Sequence, residues 1–439
     1  MVEREEPPQS RPASQELLVV LPNRLNVGGG QEQDLLDLVE KLARGPFRVT
    51  VAEFDTLFRE QSRLSDEEIA RRLGPVPRAT IPTVAGVRRL TSIPTLRGAR
   101  RLRNLLKNAD LVVTCPFYLE DAVIALMATV AHRTLVVSQD NAFLHHVPGS
   151  PGQALQDVWN RTVGVQLLRR VAGVRTLSHD EERTLNRFGI GRTMVLFPTP
   201  GLGTSKDSEP GPVPPAGRPA SDRSPAEPPL RVLVAGRMTP QKGTETVAGV
   251  LERIRQRPGG FSRFHFSLAG SRRLPPAIGR FAKEFPRSVE NLGFVLGLDE
   301  VLQQTDVLLM PSLYESLGMS AVTAIRGGVP VIASDISGLR EVVEPGRTGW
   351  LVPPRDADGF LRALDASLEM KIAKPIEWNA LRAECRRLYE TRFGVRAREA
   401  QYGRFLEWLK GFGTVPSSTP HRTSPPRGSS DSPRGPPMG

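Results

Sequence analysis

The chain has 439 residues, of which 39% are hydrophobic and 6% aromatic, and it carries a formal net charge of +12 at pH 7. This length leaves room for two ordinary domains, each with its own core. The positive charge favours anionic partners such as phosphates, acidic lipids or nucleic acid, without choosing among them. The two cysteines, Cys115 and Cys385, lie in unrelated contexts, so the sequence predicts neither a disulfide framework nor a zinc site.

The start of the chain and its apolar runs bear on its location. Residues 1–15 are charged and proline-containing, which is not typical of a signal peptide. The longest apolar run, Ala122–Ala131, is far shorter than the roughly 20 residues that cross a bilayer. We therefore expect a cytoplasmic protein that is soluble or peripheral at the inner face of the cell membrane.

Changes in amino-acid composition along the chain indicate two domains joined by a linker. The stretch Gly201–Pro229 holds eight prolines and almost nothing apolar, so it cannot build a core and is predicted to link two domains. Short apolar strands alternate with amphipathic helices on either side of it, which is typical of α/β domains. The predicted divisions are a disordered segment (1–15), a first Rossmann-like domain (16–200), the linker (201–229), a second Rossmann-like domain (230–375), a helical region (376–412) and a disordered tail (413–439).

A glycine run follows the first predicted strand. The strand Leu17–Leu21 leads through Gly28, Gly29 and Gly30 into a helix predicted over Gln31–Ala43. The spacing does not fit GxGxxG, so a dinucleotide fingerprint is not predicted. Gly29 and Gly30 are candidates for close approach of the backbone to a ligand at a helix start, and an ordinary turn is the alternative.

Residues 86–107 carry seven basic side chains and no acidic one. From Leu96 onward the spacing predicts a basic amphipathic helix, which can rest on an anionic bilayer surface. A solvated helix face is the alternative. The apolar side is predicted to hold Leu96, Ala99, Leu102 and Leu106, with Arg97, Arg100 and Arg101 beside it.

Two stretches of the second domain place polar residues after buried strands. The strand Leu230–Ala235 is followed by GRMTPQKG, in which Arg237 and Lys242 precede a helix. Arginine can clamp oxygens with two parallel hydrogen bonds and lysine supplies a point charge, so this pair suits a diphosphate. Two solvated loop cations are the alternative for this stretch alone.

The second stretch follows the buried strand Val307–Met310 and reads YESLGMS. It places Glu315 and Gly318 between that strand and a helix that begins near Met319. Ligands bind beyond the carboxyl ends of parallel strands, and a glycine before a helix lets an anion approach free amide groups. The two stretches therefore predict one ligand site at the same edge of the sheet.

The second half of the chain resembles the C-terminal half of the family 4 glycosyltransferases, which are retaining enzymes of the GT-B fold. The resemblance covers about residues 230–370, in the family's order, through GRMTPQKG, FSLAG, VENLGFV, TDVLLMPSLYESLGMS, GGVPVIASDISGLREVV and GRTGWLVPPRDADGFLRAL. The first half is similar more weakly, through GGGQEQDLLDLVEKLA and RTLSHDEERTLNRFGI. The family implies two doubly wound, Rossmann-like α/β domains that face each other across a cleft. The acceptor would lie on the first domain and a nucleotide sugar on the second, and the final helical region would cross back to the first domain.

The resemblance also implies roles for particular positions. Arg237 and Lys242 would hold the donor diphosphate and act in catalysis together with Glu315, which would lie near the transferred sugar. The nucleotide-diphosphate sugar is a co-substrate, and no metal or other cofactor is expected. The further donor-binding candidates are Leu317, Gly318, Met319, Ser320 and Thr323, together with Gly29 and Gly30 of the first domain.

The sequence departs from the family at two places. The family has a pair of glutamates, the second of which holds the ribose hydroxyls, and Thr323 occupies that second position here. One hydroxyl cannot replace a carboxylate that accepts from two ribose oxygens, so we expect weaker or differently arranged donor binding. The family also often places a histidine after the strand that ends here at Ser138. This chain has Gln139-Asp140-Asn141 there, with His145 and His146 further along.

Asp356 and Asp358 are spaced like the metal-binding pair of the other major glycosyltransferase fold. They follow two prolines and precede a predicted helix, so we interpret Asp356 as a helix N-cap instead.

The sequence thus predicts a retaining, hexosyltransferase-type enzyme that uses a UDP- or GDP-linked sugar and a glycolipid or glycan acceptor. An anionic membrane surface is a further partner through residues 86–107, and nucleic acid is not expected because no supporting motif accompanies the charge. The main alternative is a catalytically weak or inactive scaffold with a binding or regulatory role, because of Thr323. A further alternative is another kind of GT-B enzyme, such as an epimerase or a phosphorylase.

Overall fold

The computed structural model describes residues 15–21, 25, 30–55, 65–84, 93–114, 119–139, 157–198, 228–295 and 298–413. Several predictions fall outside these residues. They concern Gly29, the loop with Asp140, Asn141, His145 and His146, the two segments predicted to be disordered, and all but the last two residues of the linker.

The first half of the chain forms a seven-stranded parallel sheet in the order β3-β2-β1-β4-β5-β6-β7. Both faces of this sheet are covered, so most of its strands are apolar throughout, as buried parallel strands require. Its strands are β1 (Glu16–Leu21), β2 (Arg48–Phe54), β3 (Arg78–Ile81), β4 (Leu111–Thr114), β5 (Thr134–Gln139), β6 (Gly173–Thr176) and β7 (Thr193–Val195).

Helices cover both faces of the first sheet. One core lies beneath α1 and α2, and the other beneath α3, α4, α5 and α6. The helices are α1 (Gly30–Arg44), α2 (Asp66–Leu73), α3 (Leu96–Asn108), α4 (Leu119–Val130), α5 (Val165–Leu168) and α6 (His179–Arg187).

The sequence also predicts a helix over roughly residues 152–171, and the described part of this stretch is not one regular α-helix. A π-helical turn, Asn160–Gly164, precedes α5, which ends at Leu168. The Thr162 hydroxyl donates to the Val158 carbonyl oxygen at 2.7 Å and so competes with the regular backbone ladder.

The predicted apolar side of α3 is wrong at Leu96, which is 82% exposed. Thr95 caps this helix by accepting from the Gly98 amide at 3.1 Å, and a Cβ on Gly98 would lie 2.3 Å from the Pro82 carbonyl oxygen. The helix therefore packs closely through Gly98, Leu102 and Leu106, and Leu96 lies off this face.

The second half forms a six-stranded parallel sheet in the order β10-β9-β8-β11-β12-β13. Its strands are β8 (Leu230–Ala235), β9 (Phe264–Ala269), β10 (Val289–Gly293), β11 (Val307–Met310), β12 (Val331–Ser334) and β13 (Gly349–Val352). Its helices are α7 (Thr244–Gln256), α8 (Pro276–Glu284), α9 (Asp299–Gln303), α10 (Met319–Arg326), α11 (Ser337–Arg340) and α12 (Ala357–Ala373). The predicted fold class of two doubly wound, Rossmann-like domains is confirmed.

The predicted C-terminal helical region consists of two helices, α13 (Pro375–Arg392) and α14 (Val395–Gly413). The apolar face of α13 packs into the second domain through Cys385, Leu388 and Tyr389. The next helix, α14, instead contributes Tyr402, Phe405 and Leu409 to the core of the first domain. The chain therefore returns to its first domain at the end of the described residues.

Candidate active site

Two loops meet at the carboxyl edge of the second sheet. Strands β8 and β11 are neighbours, so the loops that follow them, residues 236–243 and 311–318, lie side by side. The Leu313 amide donates to the Gln241 carbonyl oxygen at 2.7 Å, which ties one loop to the other. We refer to residues 311–318 as the donor loop.

Lys242 and Glu315 are joined across these two loops. The Lys242 Nζ atom lies 2.5 Å from Glu315 Oε1, and the Ser312 hydroxyl donates to the same oxygen at 2.9 Å. Glu315 is 8% exposed, so this carboxylate is held by charge-assisted contacts in a largely dry position. The structure thus brings together Lys242 and Glu315, two of the three predicted catalytic residues.

A left-handed glycine precedes the helix after each loop. Gly243 has φ 72°, and a Cβ at this position would lie 1.8 Å from the Pro311 carbonyl oxygen. Gly318 has φ 84°, and a Cβ there would lie 2.5 Å from Leu339 Cδ2. Only glycine adopts this backbone without strain in so little space, so both loops are fixed by local geometry.

Helix α10 begins directly after Gly318. Leu317 and Gly318 are buried, whereas Met319 and Ser320 are half-buried. The first amides of a helix have no partner within it, and its dipole is positive at this end, so the start of α10 attracts an anion. Thr323 lies one turn further on and donates its hydroxyl to the Met319 carbonyl oxygen at 3.0 Å.

The Arg237 side chain is exposed and makes no hydrogen bond or ion pair with any residue that the structure describes, whereas its carbonyl oxygen accepts from the Thr239 amide at 2.8 Å. It lies on the 236–243 loop with Lys242, although its side chain points into solvent. The next loop along the sheet edge contacts this one closely. The Met238 amide donates to the Ser271 hydroxyl at 3.1 Å, and a Cβ on Gly270 would lie 2.2 Å from the Gly236 carbonyl oxygen.

Arg272 and Arg273 lie on that third loop, are exposed and were not predicted as site residues. They add two positive charges to the edge that holds Arg237. The signal was present in the sequence, because SRR follows the strand end FSLAG. The sheet order, which places β9 beside β8, is what brings these arginines to the predicted site.

The predicted contribution of the first domain is only partly described. Gly30 begins α1, directly after the part of the glycine run that lies outside the described residues. The structure therefore places Gly30 at a helix start in the first domain, and its neighbour Gly29 lies outside the described residues.

A polar contact joins the two domains and was not predicted. The Glu341 carboxylate lies 3.3 Å from His179 Nδ1 and accepts from the Asp180 amide at 3.2 Å. His179 and Asp180 open α6 in the first domain, while Glu341 follows α11 in the second. No local sequence pattern identifies this contact, because it depends on how the two domains lie against each other.

His179 and Glu341 shift each other's pKa. The hydrogen bond to Glu341 raises the pKa of His179 above its ordinary value, although partial burial opposes the shift. Burial acts to raise the pKa of Glu341, but the contact with His179 outweighs it and lowers that pKa. The pair is therefore strongest when the histidine is protonated and the glutamate ionised.

The interpretation of Asp356 as an N-cap is confirmed. Its carboxylate accepts from the Gly359 amide at 2.8 Å at the start of α12. Asp358 pairs with Arg253, at 2.5 Å and 3.0 Å. No cluster of three or more histidine, cysteine, aspartate or glutamate side chains that could hold a metal ion occurs among the residues with assigned positions.

Known proteins match the second domain in sequence. Residues 229–370 match the family described as Glycosyl transferases group 1. An uncharacterized glycosyltransferase of Methanocaldococcus jannaschii, MJ1607, is 30% identical over 141 residues, which are 31% of this chain and 35% of that protein. A glycogen synthase of Mycobacterium tuberculosis is 30% identical over 156 residues, or 34% of this chain and 37% of that protein.

These alignments to curated relatives span well under half of each relative's own length, so they concern the second domain and not the whole chain. Alignments to solved structures cover a larger share of this chain. The structure of Anabaena Alr3699/HepE in complex with UDP and glucose aligns with 89% of this chain and 99% of its own, with a TM-score of 0.61 and 18% identity. This likeness shows that the two domains together have the GT-B fold.

Proposed function

We propose that this chain is a glycosyltransferase that transfers a sugar from a UDP- or GDP-linked donor to a glycolipid or glycan acceptor, with retention of anomeric configuration. The observation that carries the proposal is the junction of Lys242, Glu315 and the start of α10 at one sheet edge. The protein of similar fold whose structure holds UDP and glucose supports a nucleotide-sugar donor.

The arrangement suits the chemistry of sugar transfer. Cleavage of the bond between the anomeric carbon and the diphosphate oxygen places negative charge on the leaving group. Lys242, Arg237 and the amides at the start of α10 would stabilise that charge. Glu315 would lie near the sugar, which becomes positively charged in the transition state.

Retention follows from a front-face path in our proposal. The acceptor oxygen bonds to the anomeric carbon on the face from which the diphosphate leaves, and the acceptor proton passes to the leaving phosphate oxygen. This step is balanced without an enzymic nucleophile. Donor recognition at the ribose would differ from that of the family, because Thr323 offers a single hydroxyl whose proton already goes to Met319.

The proposal also places the acceptor at a membrane surface. The exposed side of α3 carries Arg97, Arg100, Arg103 and Lys107. Beside its start lie the exposed apolar side chains Val84, Ile93 and Leu96, at 56%, 51% and 82% exposure. Basic and apolar side chains on one surface are the combination that binds an anionic bilayer.

Calorimetry with UDP and GDP tests the donor site. We expect a diphosphate nucleotide to bind the wild-type chain, and Lys242→Met to weaken that binding by about tenfold or more, because a hydrogen bond to a charged group contributes about 1.5–3 kcal/mol. The control is Lys283→Met, an exposed lysine on α8. Failure of every uridine and guanosine diphosphate to bind the wild-type chain would overturn the proposal.

A second measurement separates the enzyme from the inactive scaffold. Activated sugar donors are incubated with a panel of glycolipid and glycan acceptors, and the anomeric configuration of any product is read by NMR. Transfer with retention supports the proposal. If a nucleotide binds but transfer never exceeds background with any acceptor, the binding or regulatory role considered because of Thr323 is favoured instead.

A further inference from the structure

We propose that Glu341 is a positioning residue that holds the two domains together and couples this contact to the donor loop. The meaning of the coupling for the reaction rests on the proposed function, whereas the interdomain contact stands by itself. Three structural observations support the proposal. They are the contact of Glu341 with the start of α6, the packing of α11 on the donor loop, and the charges around His179.

Glu341 acts on the start of a helix in the other domain. Its carboxylate accepts from the Asp180 amide at 3.2 Å and lies 3.3 Å from His179 Nδ1, at the first two residues of α6. The hydroxyl of Ser178, the N-cap of α6, accepts from the Glu181 amide at 3.2 Å. Glu341 therefore satisfies a helix-start amide that the local sequence leaves free, and its negative charge lies where the helix dipole is positive.

The backbone of Glu341 is held in place on its own side of the contact. Its carbonyl oxygen accepts from Arg392 Nη1 at 2.9 Å, and Arg392 in turn pairs with Glu344 at 3.0 Å. The Glu341 side chain is only 11% exposed. A carboxylate that projects from an anchored backbone and is largely buried can position a partner domain.

The element before Glu341 packs on the donor loop. Helix α11 contains Gly338 and Leu339, and a Cβ on Gly338 would lie 2.3 Å from the Glu315 carbonyl oxygen. Leu339 is fully buried and reaches the space beside Gly318. A shift of the donor loop must therefore move α11, and with it the residue that contacts the first domain.

The charges that face His179 come from both domains. Glu182 and Arg183 lie on its own helix, and Glu341 lies opposite. Arg340 of α11 approaches Asp180 at 3.7 Å, and the Phe197 ring stands edge-on to the imidazole with 5.5 Å between centroids. The His179 pKa is raised by Glu341, so the ionic part of the contact is fully present below the ordinary histidine range and is lost as pH rises through the raised value. The hydrogen bond from the Asp180 amide to Glu341 does not depend on this protonation.

Small-angle X-ray scattering of the full chain, without ligand, tests the interdomain contact. The variants are Glu341→Gln and His179→Gln, with Glu377→Gln as a control that removes one exposed carboxylate from α13. We expect the wild-type chain to expand between about pH 5.5 and about pH 8.5, on either side of the histidine range. Both interface variants should be expanded at the lower pH already, and the control should follow the wild type.

Nucleotide titrations of the same variants test the coupling. We expect Glu341→Gln to bind UDP or GDP about fivefold more weakly or worse than wild type, which is the low end of typical coupling between sites. Thermal melts confirm that each variant is folded. Scattering of Glu341→Gln that matches wild type at both pH values overturns the contact, and unchanged nucleotide affinity overturns the coupling. Absence of nucleotide binding in the wild type would sink the proposed function and leave the scattering result to decide the contact.

Discussion

At the scale of single residues, Gly318 is where the proposed ligand site and the packing of the second domain coincide. It adopts a left-handed conformation with φ 84° and leads directly into α10. Leu339, from the helix that precedes Glu341, fills the space that a side chain would need. The conformation of the donor loop therefore depends on a glycine at position 318. This glycine packs directly against α11, the helix that precedes the residue in contact with the first domain.

The substitution Gly318→Ala should lower both stability and nucleotide affinity. The left-handed backbone costs about 1–2 kcal/mol for a residue with a Cβ, and the new methyl would press on Leu339. Thermal melts and nucleotide titration measure the two effects. The control is Gly403→Ala, an exposed helical glycine with open space around it, which should stabilise the chain slightly. Wild-type stability and affinity for Gly318→Ala would show that the donor loop relaxes freely.

Sequence reasoning reached several of these residues and missed others for a physical reason. Arg237, Lys242 and Glu315 each follow a buried strand, and the carboxyl ends of neighbouring parallel strands necessarily share an edge. Local sequence pattern and sheet topology were therefore sufficient to place these three residues at one edge of the sheet. Arg272 required the sheet order, and Glu341 required the packing of one domain on another, which no short stretch of sequence encodes.

At the scale of secondary-structure elements, the second sheet is tied together by a buried carboxylate. Asp306, which precedes β11, is 1% exposed and accepts from the Arg231 amide at 2.8 Å and from Lys371 Nζ at 2.7 Å. Arg231 belongs to β8 and Lys371 to α12. One side chain thus links two strands and the long helix that covers them.

The substitution Asp306→Asn should reduce the free energy of unfolding by about 3–5 kcal/mol, because it leaves Lys371 without its partner in a mostly buried position. Urea unfolding measures the change. Asp335→Asn, on the exposed pair with Arg340, is the control and should cost at most about 1 kcal/mol.

The pH dependence of unfolding, compared between the wild type and Asp306→Asn, tests the ionisation of the Asp306 carboxylate. Burial opposes ionisation of Asp306, but the hydrogen bonds from Arg231 and Lys371 prevail and lower its pKa. Its stabilising contribution is therefore present above the ordinary aspartate range and is lost as pH falls through the lowered value. The difference between wild type and Asp306→Asn should shrink in acid, and a difference that persists there would contradict this account.

Among the elements, long and strongly patterned ones were predicted well. The strands at residues 17–21, 230–235 and 307–310 appear at or within one residue of their predicted bounds. The short helix α2 and strand β3 were not predicted, because eight and four residues with mixed polarity give little periodic signal. The split between α13 and α14 was also missed. It occurs at Phe393 and Gly394, where the chain turns from one domain to the other.

At the scale of the whole molecule, surface charge is distributed unevenly. The basic side of α3 lies on the first domain, while most carboxylates of the second domain are engaged in ion pairs. None of the helices within the described ranges has the length and apolar character that a membrane crossing requires. The membrane association proposed above is a peripheral contact through α3.

Sedimentation with liposomes tests that contact. Replacing Arg97, Arg100 and Lys107 by alanine should reduce binding to anionic vesicles strongly, since each basic residue near such a surface contributes about 1 kcal/mol. Arg101→Ala is the matched control, because Arg101 Nη1 donates to the Thr80 carbonyl oxygen at 2.9 Å and serves the fold. Binding should also fall with added salt. Equal sedimentation of the triple variant and the wild type would dispose of the membrane proposal.

The return of α14 to the first domain has a consequence for synthesis on the ribosome. Gly173 of β6 lies so close to Trp408 that an added Cβ would be 2.6 Å from its ring, and Phe405 and Leu409 are fully buried beneath the same sheet. The first domain therefore exposes an apolar face until about residue 409 has emerged, long after its own strands are complete. During that interval the second domain is translated, whereas the first still lacks α14 and is the half that chaperones would need to protect.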